Sequence, residues 1–427
     1  MTNFDRRTFL KLTGAAAGLA SLSACAGTAG SGGGPRVVVV GGGFGGATAA
    51  KYLRRLDPSL QVTLVDRNPS HVTCPFSNAV LGGLRDLPSI TQGFDGLRAA
   101  GVKVVTDEVT ALDVAGKAVV LKKGGRLAYD RLVLSPGIDV KWNALAGYDE
   151  AAAELAPHAW KAGPQTALLR RQLEALPDGG VVLLSAPGNP YRCPPGPYER
   201  ASLIAHYLKA HKPRSKLLLL DSKDSFSKQG LFEEAWASQF KGIIEWVPAA
   251  KDGKVVRVDA KSLTVETELG TRHKAHVLNI IPPQTAGRIV VDAGLTDASG
   301  WVPVVPATFQ STKAPDIYVV GDATVAAPMP KSGFTANAQA KVAAAALVAD
   351  LRGKPAPEPL WMNTCYSLIT PSYGISIAGV YRVIDGKLGE VKGSGGVSPR
   401  GASATFRQLE AEYAFAWYDN IVQDTWG

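Results

Sequence analysis

The sequence predicts an α/β protein built from two Rossmann-like units, followed by a terminal segment of different character. Three observations carry this. Four valines in a row, Val37 to Val40, run straight into a glycine-rich turn and then into helix formers. A second strand–helix pattern recurs between Val181 and Ala210. A third apolar strand, Ile317 to Val320, ends in Gly321-Asp322. With 427 residues the chain has room for two or three domains, and 46% apolar content can fill a large core.

The opening unit reads PRVVVVGGGFGGATAAKYL from Pro35 to Leu53. The valines are too few and too β-branched for a helix, so they read as a buried parallel strand. Gly41, Gly43 and Gly46 give the G-x-G-x-x-G spacing. The first glycine turns the chain, the second lets a pyrophosphate reach the backbone, and the third lets helix and strand pack closely. The helix that follows, Ala47 to Arg55, would offer unpaired N–H groups to phosphates. The spacing alone is weak evidence. Here a second strand, Gln61 to Val65, ends in Asp66, about twenty residues past the last glycine, where a ribose would be bound.

The first residues read DRRTFLKLTGAAAGLASLSACAG. Arg6-Arg7 and the mild apolar run resemble a twin-arginine export signal, which implies a periplasmic destination. The apolar run is too short and glycine-rich to span a membrane. Ala24-Cys25-Ala26 fits a cleavage site, and Leu22-Ser23-Ala24-Cys25 also fits a lipoprotein box, so Cys25 is either removed or lipidated. Gly27 to Gly34 reads as a flexible linker. The formal charge of +9 is scattered. No basic run or helix stripe is present, which argues against nucleic acid as a partner.

Residues 35–157 form the first part of a dinucleotide-binding domain. Asp66 is followed by His71-Val72-Thr73-Cys74-Pro75-Phe76-Ser77-Asn78, a loop leading back toward the ligand. Strands are predicted at Val102 to Thr106 and Ala118 to Leu121, and a further one runs into the small-residue turn Ser135-Pro136-Gly137. Residues 158–275 form the second unit, with strands Val181 to Ser185 and Leu217 to Asp221 around a helix Glu199 to Ala210. Its connecting turn reads APGNPYRCPPGPYER. That turn lacks the glycine triad, and its prolines have no N–H for a pyrophosphate, which argues against NAD(P)H.

Residues 276–355 return to the first unit. There Gly321 permits a close turn and Asp322 can accept from a ribitol hydroxyl. With the opening fingerprint, this makes FAD the expected cofactor. The helix Ala336 to Leu351 would point its positive end at the ring. Residues 356–427 are dense in aromatics, which suggests a docking surface or ordinary core packing. Besides Cys25 the chain has Cys74, Cys193 and Cys365. Cys193 stands before the proline-started stretch Pro194 to Ala210, where a helix end would lower a thiol pKa.

Taken together, VVVVGGGFGG, HVTCPFSN, PYRCPPGPYERAS, Gly321-Asp322 and NTCYSLI resemble the flavoprotein subunit of flavocytochrome c sulfide dehydrogenase. The likeness covers nearly the whole mature chain. It implies the disulfide-reductase fold class, two dinucleotide-binding-type domains and a C-terminal interface domain. It also implies Cys74 as a covalent attachment site for FAD, a redox-active disulfide between Cys193 and Cys365, and Glu199 as the acid/base beside it. Hydrosulfide would open that disulfide, and electrons would pass through the flavin to a c-type haem. No C-x-x-C-H occurs in this chain, so the haem would belong to a cytochrome partner in a heterodimer. A sulfide:quinone oxidoreductase shares this chemistry but would dock on a membrane. Leu409 to Gly427 carries Glu410, Glu412, Asp419 and Asp424, which disfavours that reading. A flavin-binding partner protein without catalysis is the third reading, and Cys193, Cys365 and Glu199 argue against it.

Overall fold

The computed structural model describes residues 33–427. The export-signal and lipid-anchor expectations at Arg6, Arg7 and Cys25 lie outside the described residues. A five-stranded parallel sheet forms the first unit, in the order Ile317–Val319, Arg131–Leu134, Arg36–Val40, Gln61–Asp66, Lys103–Thr106. The valine strand sits in the middle, with Val37 beside Val62 on one side and Arg131 on the other. Its four valines are buried. Burial contributes about 1.5–3 kcal/mol for each such side chain, which explains an unbroken apolar run at a sheet centre. The helix Phe44–Leu56 begins at the glycine turn and buries Phe44, Ala47, Ala50 and Leu53. The helix Gly333–Leu351 packs against it.

The second unit holds a parallel sheet in the order Ile244–Val247, Lys216–Asp221, Val181–Ala186, Val277–Ile280. The last strand pairs Val182 with Val277. This unit therefore runs past residue 275, where the sequence reading ended it. A four-residue strand, fully buried and apolar except for Asn279, needs a sheet partner before the chain can cross back.

The C-terminal segment forms an antiparallel sheet and a long helix. Strands Trp361–Thr370 and Tyr373–Ile384 pair with Cys365 opposite Ile377. The helix Ala404–Trp426 then returns to the first unit. The Trp426 indole N–H donates to the Gly42 carbonyl at 3.1 Å, and the Tyr52 hydroxyl donates to Asp424 at 2.7 Å. Part of the aromatic density is thus core: Trp361, Tyr381, Tyr418 and Trp426 are buried, Tyr366, Tyr373, Phe415 and Trp417 are half-buried, and Phe406 and Tyr413 are exposed. Of the four acids in this helix, Glu410 is buried and Asp424 half-buried. Glu410 accepts from Ser376, Ser398 and Arg407, and Asp424 is tied to Tyr52, Asn337 and Lys341. Glu412 and Asp419 remain exposed.

Candidate active site

The glycine turn has the geometry its sequence requires. Gly41 takes φ +99°, a conformation that side chains disfavour, and its N–H donates to Val65 at 2.9 Å. A Cβ on Gly46 would lie 1.8 Å from the Gly41 carbonyl oxygen, so only glycine fits. At Gly43 a Cβ would meet only the His71 ring, at 3.2 Å. Asp66 ends its strand beside this turn and accepts from the Gly42 N–H at 2.6 Å and the Asn68 N–H at 2.8 Å.

Gly321 and Asp322 border a cavity of about 350 Å³ between the proline loop and the segment 324–332. The Asp322 Oδ1 is buried and has no hydrogen-bond partner among the described residues. Burial pushes this carboxyl above the usual range, against the pull of Arg192, whose guanidinium stands 3.9 Å away. An orphaned carboxylate oxygen beside a cavity fits an acceptor waiting for a ligand hydroxyl. The glycine turn and Asp322 thus suit a flavin dinucleotide. Gly137 also takes a positive φ, but its carbonyl accepts from Gly287 and it lines neither cavity described here.

A second, smaller cavity, about 100 Å³, gathers Cys74, Cys193, Cys365 and Glu199. Three stretches of chain supply them. Cys74 sits in the turn before the short helix Ser77–Leu81, and its carbonyl accepts from the Ser77 N–H and hydroxyl. Cys193 is held at φ 59°, with its N–H donating to the Lys331 carbonyl at 2.8 Å. Cys365 lies mid-strand, and Glu199 is in the first turn of the helix Gly196–His211. All three cysteines are free thiols. No bond joins Cys193 and Cys365 in this structure.

One expectation is overturned here. The Cys193 thiol does not sit below the usual range. Burial pushes the thiol well up, and Cys365 and Glu199 add to it. Desolvation outweighs the partial charge of a helix terminus whose first residues include prolines. Cys365 is likewise raised by burial, with Lys228 pulling it down.

Glu199 accepts from the Asn78 side-chain amide at 2.8 Å and from the Leu368 N–H at 2.9 Å. Burial raises its carboxyl above the usual range, and these bonds only partly offset that. Folding therefore favours the neutral acid. That stability is full below the unfolded value and is lost as the pH rises through the folded one. Glu199→Gln should remove this loss. Its melting temperature relative to the unmodified protein should rise as the pH is raised above the ordinary glutamate value of about 4. A difference that does not vary with pH would contradict the assignment.

Sequence reasoning missed four residues around this cavity. Arg200 is buried, stacks 4.8 Å from the Trp160 ring, and holds Asn78, His158, Ala159 and Asn279. Asn78 bridges Arg200 and Glu199. A Cβ on Gly196 would fall 2.7 Å from Trp160 and 2.9 Å from the Cys193 sulfur. Asn78, Gly196 and Arg200 stand inside the cysteine motifs, so their position was the available signal. Lys228, which donates to the Cys365 carbonyl, had none.

In the second unit, Asp221 ends its strand as Asp66 does in the first. It is fully buried and bonded to the Tyr198 hydroxyl at 2.6 Å, the Trp246 indole at 3.1 Å and Lys223 at 2.5 Å. Its carboxylate is committed internally rather than open to a ribose.

Three family profiles match the chain. Residues 35–170 match the pyridine nucleotide-disulphide oxidoreductases. Residues 166–282 match the central part of the sulfide dehydrogenase (flavocytochrome c) flavoprotein chain, and residues 357–426 match its flavin-binding part. The flavocytochrome c sulfide dehydrogenase flavoprotein chain of Chlorobaculum thiosulfatiphilum is 76% identical over 45 residues, 10% of this chain and 94% of that one. The mitochondrial sulfide:quinone oxidoreductase of Dictyostelium discoideum is 24% identical over 336 residues, 75% of this chain and 72% of that one. In fold, the chain resembles the solved sulfide:quinone oxidoreductase of Aquifex aeolicus, with a TM-score of 0.72 at 20% identity over 92% of both chains. This chain belongs to the family of flavocytochrome c sulfide dehydrogenase flavoprotein chains. It is an α/β flavoprotein of the disulfide oxidoreductase class and of the sulfide-oxidising group.

Proposed function

We propose, from that membership, that this chain oxidises sulfide through Cys193 and Cys365, with FAD tethered at Cys74, and hands electrons to a c-type cytochrome subunit. The observation that carries the reading is the convergence of three thiols and Glu199 on one cavity. A glycine turn and an orphaned carboxylate nearby in the fold suit the dinucleotide. The family profiles support a flavin, and the family's name supports a cytochrome.

In this reading hydrosulfide attacks one sulfur of the oxidised pair. The S–S bond breaks, one cysteine becomes a persulfide and the other a thiolate. Glu199, with a raised pKa and a place in the same cavity, is suited to hold or move the proton. Asn78 and the Leu368 N–H fix its direction. FAD supplies the two-electron acceptor that can release electrons singly. A second sulfide or thiol then frees zero-valent sulfur or polysulfide. The proline loop and the internally bonded Asp221 support the absence of nicotinamide use.

A quinone acceptor is the second reading, favoured by the long match to sulfide:quinone oxidoreductase. Against it, the C-terminal helix keeps Glu412 and Asp419 exposed. Purified holoprotein given sulfide with cytochrome c or with a soluble quinone separates the two. Cytochrome c reduction at least about tenfold faster than quinone reduction is the expected result. The reverse preference would move the chain to the quinone reading. Reduction of neither would leave a flavin-binding partner without catalysis.

A further inference from the structure

Lys228 is a buried cation that the chemistry above does not use. It stands at the start of the helix Gln229–Gln239 with φ 61°, a left-handed conformation that a lysine adopts at a cost. The residue is 7% exposed. The ammonium donates to the Cys365 carbonyl at 3.1 Å and to the Ser367 hydroxyl at 2.8 Å. Among the described residues no carboxylate lies within ion-pair distance of it.

Burial pulls the Lys228 ammonium below the usual lysine range, and four titratable groups pull it back up: Cys365, Glu199, Cys193 and Glu410. Glu410 is already bonded to Arg407, Ser376 and Ser398. That leaves Glu199 and the two sulfurs. A buried ammonium without a contacting counter-ion is expensive, and proteins keep one where a negative charge appears during function. The residue whose carbonyl it holds is a cysteine of the cavity.

We propose that Lys228 is a positioning residue that supplies the counter-charge for the Cys365 thiolate in the opened cysteine pair. Opening by hydrosulfide brings in one negative charge and leaves one thiolate, so a fixed positive charge beside the pair balances both ends of the step. Glu199 in its ionised form repels that thiolate, and Lys228 offsets it. The ammonium also fixes the backbone of Cys365 through its carbonyl. The use of this charge in turnover rests on the sulfide reading; the charge arrangement itself does not.

The test uses the reduced holoprotein and needs no sulfide. Alkylation of Cys365 by iodoacetamide is followed by peptide mass spectrometry as a function of pH. In Lys228→Met, Cys365 should react at least about tenfold more slowly near neutral pH, with its profile displaced upward by about one unit. If that variant does not fold, as judged by flavin absorbance, Lys228→Gln keeps donors toward Cys365 and Ser367 and carries the same expectation. An unchanged Cys365 profile in either folded variant overturns the proposal. Failure of the unmodified protein to oxidise sulfide would overturn the functional reading instead, and would leave this result standing.

Discussion

Replacing Cys193 or Cys365 with serine is expected to abolish sulfide-dependent acceptor reduction, by at least about a thousandfold, while the flavin spectrum survives. A serine oxygen cannot form the electrophilic S–S bond that hydrosulfide attacks, so no persulfide and no thiolate can arise. The scaffold should tolerate the change. Cys193 is held through its backbone N–H to Lys331, and Cys365 through strand pairing with Ile377. Neither sulfur is needed for those bonds. Rates near those of the unmodified protein in either variant would reduce the pair to a structural feature.

Cys74→Ala is expected to turn a retained flavin into a releasable one. In the unmodified protein, acid denaturation should leave flavin on the precipitated chain and on a peptide containing Cys74. In the variant it should all appear in the supernatant. The local turn should persist, because Ser77 binds the carbonyl of residue 74 rather than its side chain. Flavin still attached to the variant after denaturation would refute the tether. The flavin-binding fold would stand either way, since the glycine turn and Asp322 do not depend on Cys74.

The first unit was legible because each of its signals is local. The valine run, the glycine spacing and Asp66 follow one another along the chain, and the strand Gln61–Asp66 falls where it was expected. The cysteine cavity was legible only through the resemblance. Nothing in the spacing of Cys74, Cys193 and Cys365 says that their three stretches converge, because convergence is set by tertiary packing. The C-terminal sheet was hidden for a similar reason. Residues 361–384 carry aromatics whose burial depends on the returning helix, so their density could not separate a docking face from a core. The pKa of Cys193 was misread because helix polarity is visible in sequence and desolvation is not. Glu410 and Asp424 count in sequence as charge against membrane docking, but Ser376, Asn337 and Lys341, which bind them, come from distant positions. Lys228 carries no motif, and only its burial against Cys365 marks it.

The most direct test of the account is an anaerobic titration of the oxidised holoprotein, recording flavin absorbance. Sulfide should bleach the flavin at about one equivalent per flavin, as a two-electron donor acting through one cysteine pair requires, and NADH should leave it oxidised. A flavin that NADH bleaches and sulfide does not would contradict the account.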